Sequence, residues 1–298
     1  MSLPAKLKRY SLILEKIQRQ PTFADLHEHL AEHGFELSHR TLQRDIERLR
    51  IDLGIEVEYD RSNNVYRITG DRKEHDTVVQ LMERAQLFQL VGDDPKRLHE
   101  LAQHIDIEGL GSLQGLQHIS SLLRAIREHV EVTVVYQRFQ AERSSSHRLR
   151  PLLLKEYQGR WYVMGMSKKY PRPLTLGLDR ILSVELTTVK FKATGPNKAR
   201  EILATMIGVD ASPEKAERIV LEVSEDQAKY IASLPWHSSQ RMEIAGNGMV
   251  VISWFVRPNY ELRQRILGLG CSARVLEPKW LTREIHRELK AAIANYEG

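Results

Sequence analysis

The stretch HRLRPLLLKEYQGRWYVMG, from His147 to Gly165, decides how the middle of this chain folds. Two apolar runs flank Gln158-Gly159, a turn signal, so the stretch predicts a β-hairpin. Its leucines and its Trp161-Tyr162 pair predict the inside of a small β-structure. Arg148 and Arg150 are two residues apart, so on one strand they share a face. An arginine is rarely buried without a partner. Either this pair reaches out to water along its aliphatic stem, or an anionic group belongs beside it.

The charge distribution favours the anionic group. The 298 residues carry a net charge of +5. Residues 130–200 hold 14 Lys+Arg against 5 Asp+Glu, whereas residues 1–70 balance at 11 and 11. Residues 71–129 are net acidic, at 7 and 10, and residues 201–298 are close to neutral, at 12 and 13. The excess therefore lies wholly in the segment that holds the quoted stretch. A bias of nearly three to one is a footprint for an anionic partner rather than a hydrated face.

Around the hairpin, VTVVYQRF alternates, AERSSSH is a polar loop and PLTLGLDRILSVELT continues in strand pattern. Short strands with turns at this spacing predict a small barrel-like sheet over residues 130–195.

Residues 1–70 read differently. Leu7, Tyr10, Leu14 and Ile17 form one helical stripe that Pro21 ends, and Leu26 and Leu30 form a second that stops at Gly34. Ser38 is the N-cap of a third helix, with Leu42, Ile46 and Leu49 on its apolar side. Its other side carries Arg40, Gln43, Arg44 and Arg48, with His39 and Thr41 in the first turn. EVEYDRSNNVYRIT then predicts a hairpin over Asn63-Asn64. Three helices followed by a hairpin is the plan of a winged helix-turn-helix, whose second motif helix enters the major groove. Arginine pairs there with guanine and glutamine with adenine. Lys6, Lys8 and Arg9 are expected on phosphates, and Asp45 is expected to orient an arginine, because its charge repels DNA. The phrase SHRTLQRDIERL also resembles the recognition helix of DeoR-type bacterial regulators. The DNA-contact set is therefore Ser38, His39, Arg40, Thr41, Gln43, Arg44 and Arg48.

Residues 71–129 predict three helices, a connector that braces two domains or joins two copies of the chain. No apolar run is long enough to span a bilayer, and the first twenty residues space their apolar positions as an amphipathic helix, not a signal peptide. Cys271 has no second cysteine to pair with, which suits a reducing cytoplasm; in its apolar surroundings it is expected to be packed. His29 and His33 are four apart near Glu32, but with no further ligand in view they read as surface polar residues, so no metal and no cofactor is expected. GLGSLQG, residues 109–115, has the wrong spacing for a dinucleotide loop, and no H-E-x-x-H, G-x-S-x-G or P-loop string is present.

Taken in order, VVY (Val134–Tyr136), HRLRPLLL, RWYV and LDRI (Leu178–Ile181) resemble the WYL domain, with Val163 in place of the leucine that gives the domain its last letter. IVLEVSEDQ, Pro235-Trp236, a hairpin over residues 246–248, ELRQRILGLG and CSARVLEPKWL resemble the WYL C-terminal extension over residues 196–298. The resemblance implies an α+β, multidomain bacterial transcription regulator: winged helix-turn-helix, helical connector, Sm/SH3-like β-barrel WYL domain and C-terminal α/β extension. It implies a homodimer on operator DNA whose WYL domain senses a nucleic acid or nucleotide, in a family some of whose members regulate DNA-damage responses or phage-defence islands. By motif position it places the ligand on Tyr136, Arg148, Arg150, Tyr162 and Arg180, with His147 and Trp161 beside them. The plainer reading makes Trp161 core and pairs Arg180 with Asp179 or Glu185.

Two other classes stay open from the residues alone. One is an enzyme acting on nucleotides or nucleic acid, although no nucleophile–base pair or acidic metal cluster is visible, so a non-enzyme is expected. The other is an RNA-binding module built on the Sm-like sheet.

Overall fold

The computed structural model describes residues 3–69, 115–192, 198–211, 213–246 and 248–297, together with Val78 and Leu81. The chain divides into two compact units, Met1–Ile107 and Glu108–Gly298.

The N-terminal unit is built from α1 (Leu3–Ile17), α2 (Phe23–Glu32), α3 (His39–Leu53), β1 (Glu56–Asp60) and β2 (Val65–Thr69). Thr22 and Asp25 start α2 as a capping box: the Thr22 hydroxyl accepts from the Asp25 amide, and the Asp25 carboxylate accepts from the Thr22 amide. Ser38 caps α3 as its sequence position predicts. Tyr10, Leu14, Ile17, Leu26, Leu30, Leu42 and Leu49, all buried, bring the three apolar stripes into one core. Strands β1 and β2 pair antiparallel from Glu56↔Thr69 to Asp60↔Val65.

Two cations expected on phosphates are engaged elsewhere. Arg9 is 3% exposed and forks onto Asp45, itself 2% exposed, with Nη2 donating to Oδ1 at 2.8 Å and Nε 2.5 Å from Oδ2. Lys6 donates to Asp52 at 2.7 Å, and the Tyr10 hydroxyl donates to the same carboxylate at 3.0 Å. The reason lies in the helix period: residues 6, 9 and 10 of α1 face the side of α3 that carries Asp45 and Asp52. Lys8 is exposed. Asp45 does orient an arginine, as its charge suggests.

Of the expected connector, residues 71–77, 79–80 and 82–114 lie outside the described residues. Its last helix, α4 (Ile119–Glu128), does not connect. Leu122 and Ala125 belong to the core of the five-stranded sheet that follows.

That sheet has the order β6-β5-β4-β3-β7, with β3 (Val130–Tyr136), β4 (Ser145–Tyr157), β5 (Arg160–Met166), β6 (Leu174–Gly177) and β7 (Ile181–Lys190). The hairpin predicted from the opening stretch is β4–β5, turning at Gln158-Gly159, both at positive φ as a type I′ turn requires. Strand β4 is 13 residues long and serves two neighbours: residues 145–149 pair with β3, and residues 150–157 pair with β5. The ladder shifts register at Pro151, a residue that sheets tolerate at bulges. Gly165 makes the bend possible. A Cβ there would lie 2.3 Å from the Arg150 carbonyl oxygen, so only glycine lets β5 come so close.

The sheet is not a closed barrel. β6 bonds only to β5 and β7 only to β3, and a single 3-10 turn, Leu178–Arg180, joins these two edges. The sequence predicted closure because the strand spacing is that of a barrel; the ladder breaks where LDRI turns out of strand conformation.

The rest of the C-terminal unit is α5 (Lys198–Ala204), β8 (Glu217–Ser224), α6 (Glu225–Ser233), β9 (Arg241–Gly246), β10 (Met249–Val256), α7 (Tyr260–Gly268), β11 (Ala273–Glu277) and α8 (Lys279–Ala294). The four strands are antiparallel in the order β11-β8-β10-β9, a split β-α-β, ferredoxin-like arrangement. Buried Ile219, Leu221, Ile252 and Trp254 form its core, and Trp236 stacks on Trp254. Cys271 is exposed, not packed, because it sits on the short turn Gly270–Ser272 between α7 and β11.

Candidate functional site

In the N-terminal unit, α3 presents Arg40, Gln43, Arg44 and Arg48 to solvent because its 3.6-residue period commits Leu42, Asp45, Ile46 and Leu49 to the interior. Arg40, Gln43, Arg44 and Arg50 line one wall of a cleft of about 750 Å³ whose other wall includes Val57, Glu58 and Tyr66 of the hairpin. The first turn is structurally occupied: Ser38 and Thr41 share a 2.9 Å hydroxyl contact in the cap, and the His39 ring stacks 3.8 Å from that of Phe23. Within the expected DNA-contact set, then, the long side chains are free to reach outward, and Ser38, His39 and Thr41 hold the end of the helix.

In the C-terminal unit a recess of about 560 Å³ opens beside the joint between the two sheet edges. Tyr136, His147 and Arg180 line it together with Arg138, Phe139 and Thr175. Tyr136 and His147 point inward by strand alternation, with His147↔Val134 and Val132↔Leu149 fixing the register. Their rings meet edge-on at 6.1 Å. The Arg180 guanidinium lies 5.5 Å from the centre of the Tyr136 ring and 4.8 Å from that of Phe139, so its flat face rests on two aromatics. Asp179 holds it from the side at 3.4 Å and also reaches Arg160 at 3.8 Å. Gly177 leaves room for this: a Cβ there would lie 2.5 Å from Arg180 Nη2.

Electrostatics in the recess favour an anion. Burial raises the Tyr136 hydroxyl above its usual range, with Arg180 opposing, so the phenol stays protonated and able to donate. Burial, then the charges of Arg138 and Lys169, lower the His147 pKa. His147 Nε2 lies 2.9 Å from the Ser145 hydroxyl.

This shift sets a pH dependence. Below its ordinary pKa of 6.5 an exposed histidine in the unfolded chain takes up a proton that His147 in the folded chain resists. The unfolded state then binds more protons, and stability falls as pH drops below that value. We expect the thermal midpoint of the C-terminal unit, read from tryptophan fluorescence, to fall on acidification, and His147→Gln to flatten the fall. An identical acid slope in the variant would contradict this.

The structure separates the arginine pair of the opening stretch from this recess. Arg148 and Arg150 share a face, as expected, but it is the opposite face of β4 from His147 and Leu149. There both engage Glu131, at 2.8 Å and 3.4 Å, and Glu131 is 3% exposed. The cause is register: Thr133 stands across from Arg148, and Glu131 comes two residues before Thr133 on β3. Tyr162 is half-buried on β5, beside Gly177 of β6, and does not line the recess; burial raises its pKa against the pull of Arg160 and Arg180. Trp161 packs against the sheet core, and Val163 is fully buried within it. The sequence reading missed Arg138 and Phe139. The available signal was alternation continued past the strand end, from Tyr136 to Arg138.

A family model described as the WYL domain matches residues 117–186, and one described as the WCX domain matches residues 215–293. The chain carries a WYL domain and a WCX domain. The WYL match begins just before α4, in accord with the packing of that helix on the sheet, and ends within β7. The WCX match covers the ferredoxin-like sheet and most of α8. No curated protein matches the chain. Two solved structures align over nearly all of it. One is proteasome accessory factor B/C (PafBC) of Arthrobacter aurescens, 19% identical over 96% of this chain and 46% of that one, with a TM-score of 0.29. The other is a CRISPR Cas-related protein, 10% identical over 97% of this chain and 78% of that one, with a TM-score of 0.44. The WYL chain thus spans less than half the length of the PafBC chain. Among the described residues no helix is long and apolar enough to cross a membrane.

Proposed function

We propose that this WYL-domain protein is a transcriptional regulator. Its N-terminal unit acts as a winged helix-turn-helix that reads operator DNA, and its WYL recess senses a phosphate-bearing ligand, a nucleotide or a short nucleic acid. The observation that carries the reading is the exposed row Arg40, Gln43, Arg44 and Arg48 on a helix whose opposite side is committed to the core. Such a row meets base edges and phosphates together, and the bordering hairpin serves as the wing. In this reading the chain acts as a homodimer on a two-fold operator.

In the recess, a phosphate takes the forked donors of Arg180 and Arg138, and a base or sugar packs on Phe139 and Tyr136. Arg148 and Arg150 secure Glu131 at the β3–β4 pairing, so ligand contact passes to Arg180 and Arg138. To regulate, the ligand must bind one arrangement of the protein better than the other.

A mobility-shift assay on the DNA upstream of the protein's own gene, with and without short oligonucleotides or cyclic nucleotides, tests the whole reading. Arg44→Ala is expected to weaken specific binding by about 5- to 150-fold, equivalent to about 1–3 kcal/mol for a lost base contact. The fold should survive, because Arg44 is exposed. Unchanged footprints would remove α3 from the interface, and cleavage of the probe lost with one specific acid would favour the enzyme class.

A further inference from the structure

Helix α2 ends in His29-Leu30-Ala31-Glu32, with His33 as its C-cap. Residues three and four apart on a helix are neighbours on its surface. The His29 and His33 rings are 4.5 Å apart, and a Glu32 carboxylate oxygen lies 4.0 Å from His29 Nδ1. Among the described residues this is the one group of three His, Cys, Asp or Glu side chains whose ligand atoms all lie within 4.8 Å of one another. We propose that His29, Glu32 and His33 bind a divalent transition metal of the class that favours imidazole, with zinc as the reference ion.

Three further observations point the same way. The His33 Nδ1 lies 2.8 Å from the His29 carbonyl oxygen, so it donates there and leaves the Nε2 lone pair for a metal. A backbone carbonyl on the far nitrogen is the usual support for a metal-bound histidine. The His29 side chain is mostly buried, with its Nδ1 on the side of Glu32. Its buried Nε2 has no hydrogen-bond partner in the protein, so the fold alone does not satisfy this ring. The last turn of a helix also carries the negative end of its dipole, which favours a cation.

The geometry closes with small movements. Ligand atoms about 2.0–2.1 Å from a tetrahedral zinc are roughly 3.4 Å from one another. Glu32 and His33 are exposed, so rotating their side chains supplies the difference without moving the core. Three protein ligands leave a coordination position to water, so the site is exchangeable rather than a permanent structural centre. A metal here would pin the last turn of α2, from which the chain passes into α3.

The test uses the full chain, stripped with a chelator and titrated calorimetrically with zinc chloride. We expect one micromolar site per chain. His33→Ala and Glu32→Gln, both at exposed positions, should each weaken it by about 10-fold or more. Cobalt(II) should give a visible d–d spectrum that His33→Ala loses. Zinc binding of equal strength in wild type and in a folded His33→Ala variant would place the metal on other residues, and no binding in wild type would end the proposal.

Discussion

Asp45→Ala is expected to destabilise the N-terminal unit by about 3–5 kcal/mol, the usual consequence of removing one partner from a buried ion pair. Arg9 is 3% exposed, and Asp45 answers it with both carboxylate oxygens. Without Asp45 the buried guanidinium loses the carboxylate that meets both its Nε and its Nη2. Such a loss is a large fraction of the stability of a small unit. The measurement is urea unfolding of the full chain followed in two ways. Trp161, Trp236, Trp254 and Trp280 are the four tryptophans of the chain, and all lie in the C-terminal unit. Helical circular dichroism should therefore show an early transition in the variant that tryptophan fluorescence does not see. The double change Arg9→Met with Asp45→Leu should recover most of the loss, because it removes both charges together. A single variant as stable as wild type would mean that Arg9 finds water instead, and that the pair does not seal α1 against α3.

Arg180→Ala is expected to weaken ligand binding at the WYL domain by about 10- to 150-fold, equivalent to about 1.5–3 kcal/mol for hydrogen bonds from a charged donor. The probe is a fluorescein-labelled single-stranded pentanucleotide read by anisotropy. Arg180 rests on Tyr136 and Phe139 with Asp179 at its side, so its donors are already oriented before a ligand arrives. Asp179 keeps Arg160 as a partner in the variant, and the fold should hold. Arg180→Lys should recover only part of the affinity, because an ammonium group keeps the charge but not the planar fork. Arg148→Ala with Arg150→Ala should change binding much less. The reverse ranking would move the site to the Glu131 face of β4.

Much of this architecture is legible in the residues because periodicity carries it. The apolar stripes of α1, α2 and α3, the Ser38 cap and the Gln158-Gly159 turn all follow from spacing and turn chemistry. The role of Asp45 followed from charge alone. Alternation also placed Arg148 and Arg150 on a common face, but it could not say which face. That was settled by pairing with β3, which brings Glu131 to both arginines, and register is a long-range property. Closure of the sheet was misread for a related reason. Strand spacing counts residues per strand, whereas closure needs hydrogen bonds between β6 and β7 that the LDRI turn leaves out. Phe139 escaped notice because it lies beyond the end of β3, where strand periodicity no longer speaks.

The gap between β6 and β7 has a further meaning. A ladder holds its strands through many bonds at once, whereas these two edges are tethered by three residues, one of which is Arg180. The recess is therefore built on a seam. A molecule that grips Arg180 while leaning on Thr175 of β6 and on Tyr136 of β3, which pairs with Ile181 of β7, bears on one margin of that seam directly and on the other through its neighbour, and so works as a stitch.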